Sequence, residues 1–356
     1  MRPVLNPPNP FLSDHREYLD GMEPPAKLEV FTDATRSILS ENKSPDLGFR
    51  WSVNPYRGCA HACIYCYARP THEYLGFGAG TDFETRIVIK PRAAQILRES
   101  FLKRSWKGEL VVFSGDTDCY QPLEAHYGLT RQCLEVCLEF GNPAAIITKS
   151  FLITRDLELL QALHRRTHLS VTVSISFARE REARMVEPFA ASIAKRFEAL
   201  EKLAAAGLNV GVNIAPVIPG LNDADIPEIL KRARAAGATH AGTVMLRLPG
   251  SVKEVFQERL KALFPLAQQK ILGRIMQTRG GVLYRSEFGE RFRGQGDYWN
   301  NIEGLFETWC ARLGFNREEA QASRPPFQRP GAQTEFTFAG TPQQKAGSKR
   351  EEYFGH

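Results

Sequence analysis

From about residue 46 to residue 265, short apolar runs rich in β-branched residues alternate with longer amphipathic stretches. This alternation restricts the fold more than anything else in the chain. The strand-like runs are Arg86–Lys90, Glu109–Gly115, Ala144–Lys149, Leu169–Ser176, Val210–Ile218 and His240–Leu248, with a further strand expected near Trp51–Arg57. Their near-continuous hydrophobicity is that of parallel strands covered on both faces. Helical patterns lie between them at Arg92–Arg104, Thr130–Phe140, Arg155–His164, Ile193–Ala206, Asp225–Ala236 and Ser251–Phe264. Gly141, Gly207 and Gly237 follow three of these, where a helix end favours a left-handed residue. Strand and helix repeated in this way define an α/β fold with a parallel sheet. The repeats run in one direction with no switch signal, so a barrel, closed or partly open, is expected rather than a doubly wound sheet. Only secondary structure repeats; no internal sequence repeat is present.

The flanks differ. Residues 1–45 carry Pro3, Pro7, Pro8, Pro10, Pro24 and Pro25 with little periodicity and read as an arm on the surface or partly disordered. Residues 266–320 read as a helical, basic extension. Residues 321–356, dominated by Pro, Gln, Gly and Ser, read as a flexible tail. A hydrophobic content of 43% with 24% charged residues excludes a collagen-like chain, a wholly disordered one and a small disulfide scaffold. The net charge of +6 permits a polyanionic partner without requiring one. No run approaches the roughly 20 apolar residues of a membrane span. Met1–Pro10 has no apolar signal core, so a cytoplasmic location with no membrane partner is expected.

The chain has 7 cysteines: Cys59, Cys63, Cys66, Cys119, Cys133, Cys137 and Cys310. An odd count without an export signal speaks against a disulfide framework, and the crowding of Cys59, Cys63 and Cys66 reads as metal or redox chemistry. Asn54–Thr71 reads NPYRGCAHACIYCYARPT, with Cys59 and Cys63 four apart and Cys63 and Cys66 three apart. A tetrahedral zinc site would need a fourth ligand, His61 or His72. A [4Fe–4S] cluster on three cysteines would keep one iron open to chelate a small molecule and pass it an electron. Gly58 lets the backbone bend close to such a centre, and Arg57 and Arg69 are placed to offset its charge. Cys133 and Cys137, four apart on a predicted helix, read as core, as does Cys310.

The cysteine spacing, with Tyr65 just before the third cysteine, resembles the signature of the radical SAM superfamily. Phe113–Glu124 (FSGDTDCYQPLE), Ile147–Ser150 (ITKS) and Ala215–Asp223 (APVIPGLND) narrow the resemblance to the spore photoproduct lyase branch, often grouped as DNA repair photolyase-like. It covers about residues 50–265 and is closer still to an uncharacterised bacterial subgroup of that branch. The resemblance implies a partial (β/α)6 TIM-like barrel. It also implies a [4Fe–4S] cluster on Cys59, Cys63 and Cys66, and S-adenosylmethionine chelated to the open iron. Cleavage of that cofactor to methionine and a 5′-deoxyadenosyl radical needs a reducing electron donor, flavodoxin- or ferredoxin-like.

By the same resemblance, the cofactor contacts fall at the strand ends. Gly115, Asp116 and Thr117 would meet its amino group, and an acidic side chain suits an ammonium. Lys149 would meet its carboxylate, Ser176 or Ser174 its ribose, with Ser176 ranked first. Ala215 is small enough for the adenine, whose edge the Tyr65 main chain would meet. Arg247, ending the sixth strand, could reach the same cavity or make a surface salt bridge. In spore photoproduct lyase a cysteine just past the second strand returns a hydrogen atom to the product radical. That position here holds Asp116, and Cys119, three residues on, is the candidate donor, with Tyr120 as a radical relay of lower rank.

The resemblance makes a nucleic-acid lesion the first substrate class. Arg274, Arg279, Arg285, Arg291 and Arg293, interleaved with Tyr284, Phe288, Phe292, Tyr298 and Trp299, suit flipped-base or single-strand binding. They equally suit an extension packed over the barrel mouth, its arginines solvated or paired to Glu287 and Glu290. Radical modification of a protein or small molecule is the second class. A non-catalytic iron–sulfur or zinc regulatory protein is the third, disfavoured by polar residues at successive strand ends.

Overall fold

A computed structural model describes residues 4–13, 26–317 and 324–330. Ten strands are present among them: β1 (Glu29–Thr32), β2 (Leu39–Glu41), β3 (Trp51–Val53), β4 (Tyr56–Arg57), β5 (Arg86–Ile89), β6 (Val111–Phe113), β7 (Ala144–Thr148), β8 (Leu169–Ser174), β9 (Asn209–Val217) and β10 (His240–Met245). Seven form one sheet in the order β10-β9-β8-β7-β6-β3-β2. From β3 to β10 every neighbouring pair is parallel, and only β2 runs antiparallel, against β3. The six parallel strands thus follow chain order around the sheet, and β10 pairs with neither β2 nor β3. This is the partly open (β/α)6 barrel, with β2 as a hairpin partner on its first edge.

The crossovers have the expected helices: Ala93–Leu102, Leu129–Phe140, Leu157–Arg166, Ile193–Ala205, Ile226–Ala235 and Val252–Leu263. Leu129–Phe140 shows why they form. Cys133, Leu134, Cys137 and Phe140 recur at helical spacing and are buried, with Arg131 and Glu135 paired on the outer side. It ends at Gly141, whose φ of 63° is the left-handed cap. Cys133, Cys137 and Cys310 lie in the core, as the helical spacing of the first pair suggests.

Three segments depart from the sequence reading. Arg86–Lys90 has strand character but does not join the barrel. It pairs with β1 and β4 in a separate three-stranded sheet. The N-terminal arm is correspondingly structured in part, supplying β1 and β2. Residues 324–330, inside the expected tail, lie against the barrel. Phe327 stacks on Phe140 and meets Phe101 edge-on, and Gln328 N donates to the Phe140 carbonyl at 2.9 Å. The remainder of the expected tail, from residue 331, is outside the described residues.

The extension carries helices Gln268–Gln277 and Gly296–Leu313 and closes onto the exposed side of β10. Asn316 donates to the Ala241 carbonyl and accepts from the Ala241 N–H, each at 2.9 Å, so a side chain blunts part of the strand edge. No helix among the described residues is long and apolar enough to cross a membrane.

Candidate active site

The cysteine loop leaves β4 at Gly58. This residue has φ +76°, and a Cβ there would fall 2.8 Å from the Phe83 carbonyl oxygen, so only glycine fits. The loop is held from several sides. Cys59 N donates to the Phe83 carbonyl at 2.9 Å, and the Gln121 amide bridges Ala60 N and the Gly58 carbonyl, both at 3.0 Å. Ile64 N donates to the Val186 carbonyl at 3.0 Å. The fully buried Arg69 donates to the Cys63 carbonyl at 2.7 Å and pairs with Glu84. Arg69 is therefore a brace for the loop, and Arg57 pairs with Asp33 at 3.4 Å.

The loop faces a cavity of about 330 Å³ at the C-terminal end of the parallel strands. Cys59, Cys63 and Cys66 all line it, together with Tyr65, Gly115, Asp116, Thr117, Lys149, Ser174 and Ala215. Residues from the loops after β3 and β6 and from the ends of β7, β8 and β9 thus share one space. Burial pushes all three thiols up, Cys63 to about 12 with Glu187 adding to the effect. Thiols held this way ionise readily only against a cation, which suits ligation of iron. His72 cannot complete a zinc site at this cavity. Its Nε2 sits 2.8 Å from the Arg86 carbonyl, and it is not among the lining residues. Among the described residues, no three His, Cys, Asp or Glu side chains are arranged to hold a single ion.

Asp116 is half-buried, with Thr71 Oγ1 at 3.5 Å from Oδ2. Burial lifts its pKa to about 6 against the pull of Lys90 and Arg57. Lys149 Nζ lies 5.8 Å from the Tyr65 ring centroid. The Tyr65 hydroxyl donates to buried Glu187, which Arg196 holds at 2.5 Å.

Three sequence candidates fall outside this space. Ser176, ranked ahead of Ser174, lies beyond the last paired residue of β8. It is fully buried and donates to the Ala215 carbonyl at 2.8 Å. Ser174 lines the cavity instead. Cys119 is fully buried in the core, its N–H given to Ser114 Oγ at 2.8 Å and its carbonyl taking Thr130 Oγ1 at 2.6 Å. Tyr120 is likewise buried and donates to Asp156 at 3.1 Å.

Other lining residues escaped the sequence reading. Asp118 accepts from Thr148 Oγ1 at 2.7 Å and Lys149 N at 2.8 Å, and faces His61 Nδ1 at 3.4 Å. It ties the cysteine loop to the ends of β6 and β7. Burial opposes its charge, but His61 and these hydrogen bonds outweigh burial and hold its pKa down to about 2. Its only sequence signal was a second aspartate in FSGDTDC. Asn213, in the middle of β9, also lines the cavity.

Leu47 and Phe49 on one lip and Phe292 on the other also line the cavity. The lips are clasped: Arg291 Nε reaches Asp46 at 2.6 Å, Gly289 N reaches Asp46 at 2.7 Å, and Arg291 also bonds Ser44. Part of the basic extension is turned inward. Arg279 is buried against the carbonyls of Leu246, Glu290 and Arg291, and Arg285 pairs with Glu290 at 3.4 Å.

Comparison with known proteins matches this arrangement. The profile of the radical SAM superfamily covers residues 53–233. The chain belongs to the radical SAM superfamily, and its cofactors are a [4Fe–4S] cluster and S-adenosylmethionine. An uncharacterized protein of Mycobacterium tuberculosis is 40% identical over 258 residues, which are 70% of this chain and 75% of that protein. A Radical SAM Nalpha-GlyT isomerase of Pseudomonas phage M6 is 24% identical over 266 residues, covering 74% of this chain and 52% of the isomerase. Solved structures of spore photoproduct lyase, one complexed with dinucleoside spore photoproduct, share the fold with a TM-score of 0.55 at 17% identity, over 80% of each chain.

Proposed function

We propose that Cys59, Cys63 and Cys66 hold three irons of the cluster and that the fourth iron, facing the cavity, chelates S-adenosylmethionine. The observation that carries this reading is the placement of the three thiols on one wall of a cavity whose other walls carry Asp116, Lys149 and Ser174. When bound, the two cofactors supply a 5′-deoxyadenosyl radical by one-electron cleavage of the sulfonium, with methionine released. The chain's own residues orient that reaction. Asp116 and the Gly115–Thr117 turn receive the ammonium, Lys149 the carboxylate, Ser174 a ribose hydroxyl, and Ala215 leaves room for the adenine. Asp118 holds Lys149 through its backbone N–H while bracing His61 in the cysteine loop. The Asp46–Arg291 clasp would hold the two flanks of the cavity together and so confine the reactive species to a bound substrate.

That chemistry would remove a hydrogen atom from a substrate held in the same cavity, leaving 5′-deoxyadenosine and a substrate radical. A nucleic-acid lesion is the substrate class this reading favours, supported by the fold shared with spore photoproduct lyase. Cys119, fully buried and not among the residues lining the cavity, is left out of the proposed machinery. The reaction would run in a reducing cytoplasm with a flavodoxin- or ferredoxin-like donor, a setting that suits the free state of all the cysteines.

The test is anaerobic turnover of the cluster-loaded chain with irradiated oligonucleotides whose thymidines are deuterated at every carbon-bound position. Deuterium recovered in 5′-deoxyadenosine is the expected result. Formation of 5′-deoxyadenosine without deuterium would turn the assignment to a protein or small-molecule substrate.

A further inference from the structure

Among the described residues the fully buried arginines, Arg69, Arg196 and Arg279, are compensated, whereas the half-buried Arg247 at the cavity is not. Arg69 pairs with Glu84 and Arg196 with Glu187, and Arg279 is surrounded by carbonyl oxygens. Arg247 has none of these. Its guanidinium lies between two rings, 4.9 Å from the Tyr67 centroid and 4.6 Å from that of Phe292. Its Nε is buried without a hydrogen-bond partner, and no carboxylate of the described residues pairs with it. The aromatic faces orient the cation and ease its desolvation, but they satisfy none of its N–H donors.

The mounting is rigid. Tyr67 donates to the Gly115 carbonyl at 2.9 Å, and Phe292 accepts from Met245 N at 3.1 Å. Arg279 stands behind, fixed to the Leu246 carbonyl next to Arg247 in the chain, so the neighbouring charge is positive as well. An uncompensated cation held open to a cavity awaits an anion.

The cofactor carboxylate is already assigned to Lys149, which follows β7; Arg247 follows β10, three strands on in the sheet order, and brings a second, separately mounted cation to the same cavity. We infer that Arg247 is a substrate-binding residue, and that the substrate carries an oxyanion, phosphate or carboxylate, docked between Tyr67 and Phe292 beside the cofactor. The inference rests on the radical SAM reading for the place of the substrate, but its anion site can be tested independently of turnover.

The experiment uses the full chain, cluster-loaded and saturated with S-adenosylmethionine, titrated separately with inorganic phosphate and with acetate. Binding is followed by the 31P and 13C line widths of the two probes. Saturable binding of at least one of them in the millimolar range is expected, and the tighter one identifies the oxyanion. Arg247→Gln should weaken it about tenfold or more, with iron content and cofactor affinity unchanged. Arg247→Lys keeps the charge and covers the case in which the glutamine variant fails to fold or load. It should bind the anion more weakly than wild type, because the planar fork is lost. Equal anion binding by wild type and both variants would overturn the assignment. So would an absence of saturable binding in wild type, or a tenfold loss of cofactor affinity in Arg247→Gln, which would give Arg247 to the cofactor. A chain that binds the anion through Arg247 yet forms no 5′-deoxyadenosine would refute the proposed function alone.

Discussion

The two ends of the parallel sheet are built from opposite kinds of residue. At the C-terminal ends of the strands, cysteines, Asp116, Asp118, His61, Lys149 and Arg247 crowd into one cavity. Away from that cavity, Phe101 stacks on Trp106 at 5.1 Å, meets Phe140 edge-on at 5.6 Å, and is capped by Phe327. The aromatic cluster lowers the free energy of folding by burying apolar area. The cavity carries buried charge and unsatisfied groups that favour a bound ligand more than they favour the empty fold. Stability and chemistry are therefore separable, and substitutions at the two ends should separate them.

The largest stability effect is expected at the aromatic end. Phe140→Ala removes a fully buried ring and should lower the unfolding free energy by about 3–4 kcal/mol in denaturant titration. The fraction of the variant that folds should still load the cluster; a folded variant unable to load would show that the two ends are coupled. Next is Glu187→Gln, which leaves Arg196 buried without its carboxylate and gives Tyr65 a neutral amide oxygen in place of a charged one. It should cost about 3 kcal/mol. It should also weaken cofactor binding, because Tyr65 carries the ring beside Lys149. Unchanged cofactor affinity would confine the Glu187–Arg196 pair to the scaffold.

Lys149→Ala should leave iron content and melting temperature near wild type while weakening S-adenosylmethionine about tenfold or more in equilibrium dialysis. The smallest effect carries a sign. An acid whose pKa rises on folding destabilises the folded state once it ionises. For Asp116, lifted to about 6 by burial, the penalty is absent below its ordinary pKa near ~4 and complete above about 6. Asp116→Asn should thus stabilise the unloaded chain by on the order of 1–2 kcal/mol at pH 8 and by nothing at pH 3.5. The same change should weaken cofactor binding at pH 8. A variant less stable at pH 8 would show that Asp116 is held by partners rather than strained.

The barrel was legible because its signals are local. β-branched runs, amphipathic spacing and the glycines after three helices each act within a dozen residues, and the cysteine loop is a single short motif. What was not legible depends on contacts distant in sequence. Arg86–Ile89 has the composition of a barrel strand, but its partners are β1 and β4, and nothing in the run itself encodes that choice. Alternation along β8 put Ser176 on the side of Ser174, yet pairing with β9 stops at Ser174, and the turning chain directs Ser176 to the Ala215 carbonyl. The clasp joins Asp46 to Arg291 across most of the chain. Asp118 acts through groups from two segments distant from it in sequence, the end of β7 and the cysteine loop.

The central claim is that three sulfurs of one loop leave an iron open toward this cavity. It is tested most directly by reducing the cluster-loaded chain with dithionite in the absence of oxygen and measuring 5′-deoxyadenosine and methionine from S-adenosylmethionine. The wild-type chain should form both in equal amounts, and the chain with Cys59, Cys63 and Cys66 all changed to Ala should bind no cluster and form neither. A wild-type chain holding four irons and four sulfides that cleaves no cofactor, or a triple variant that still does, would contradict the account.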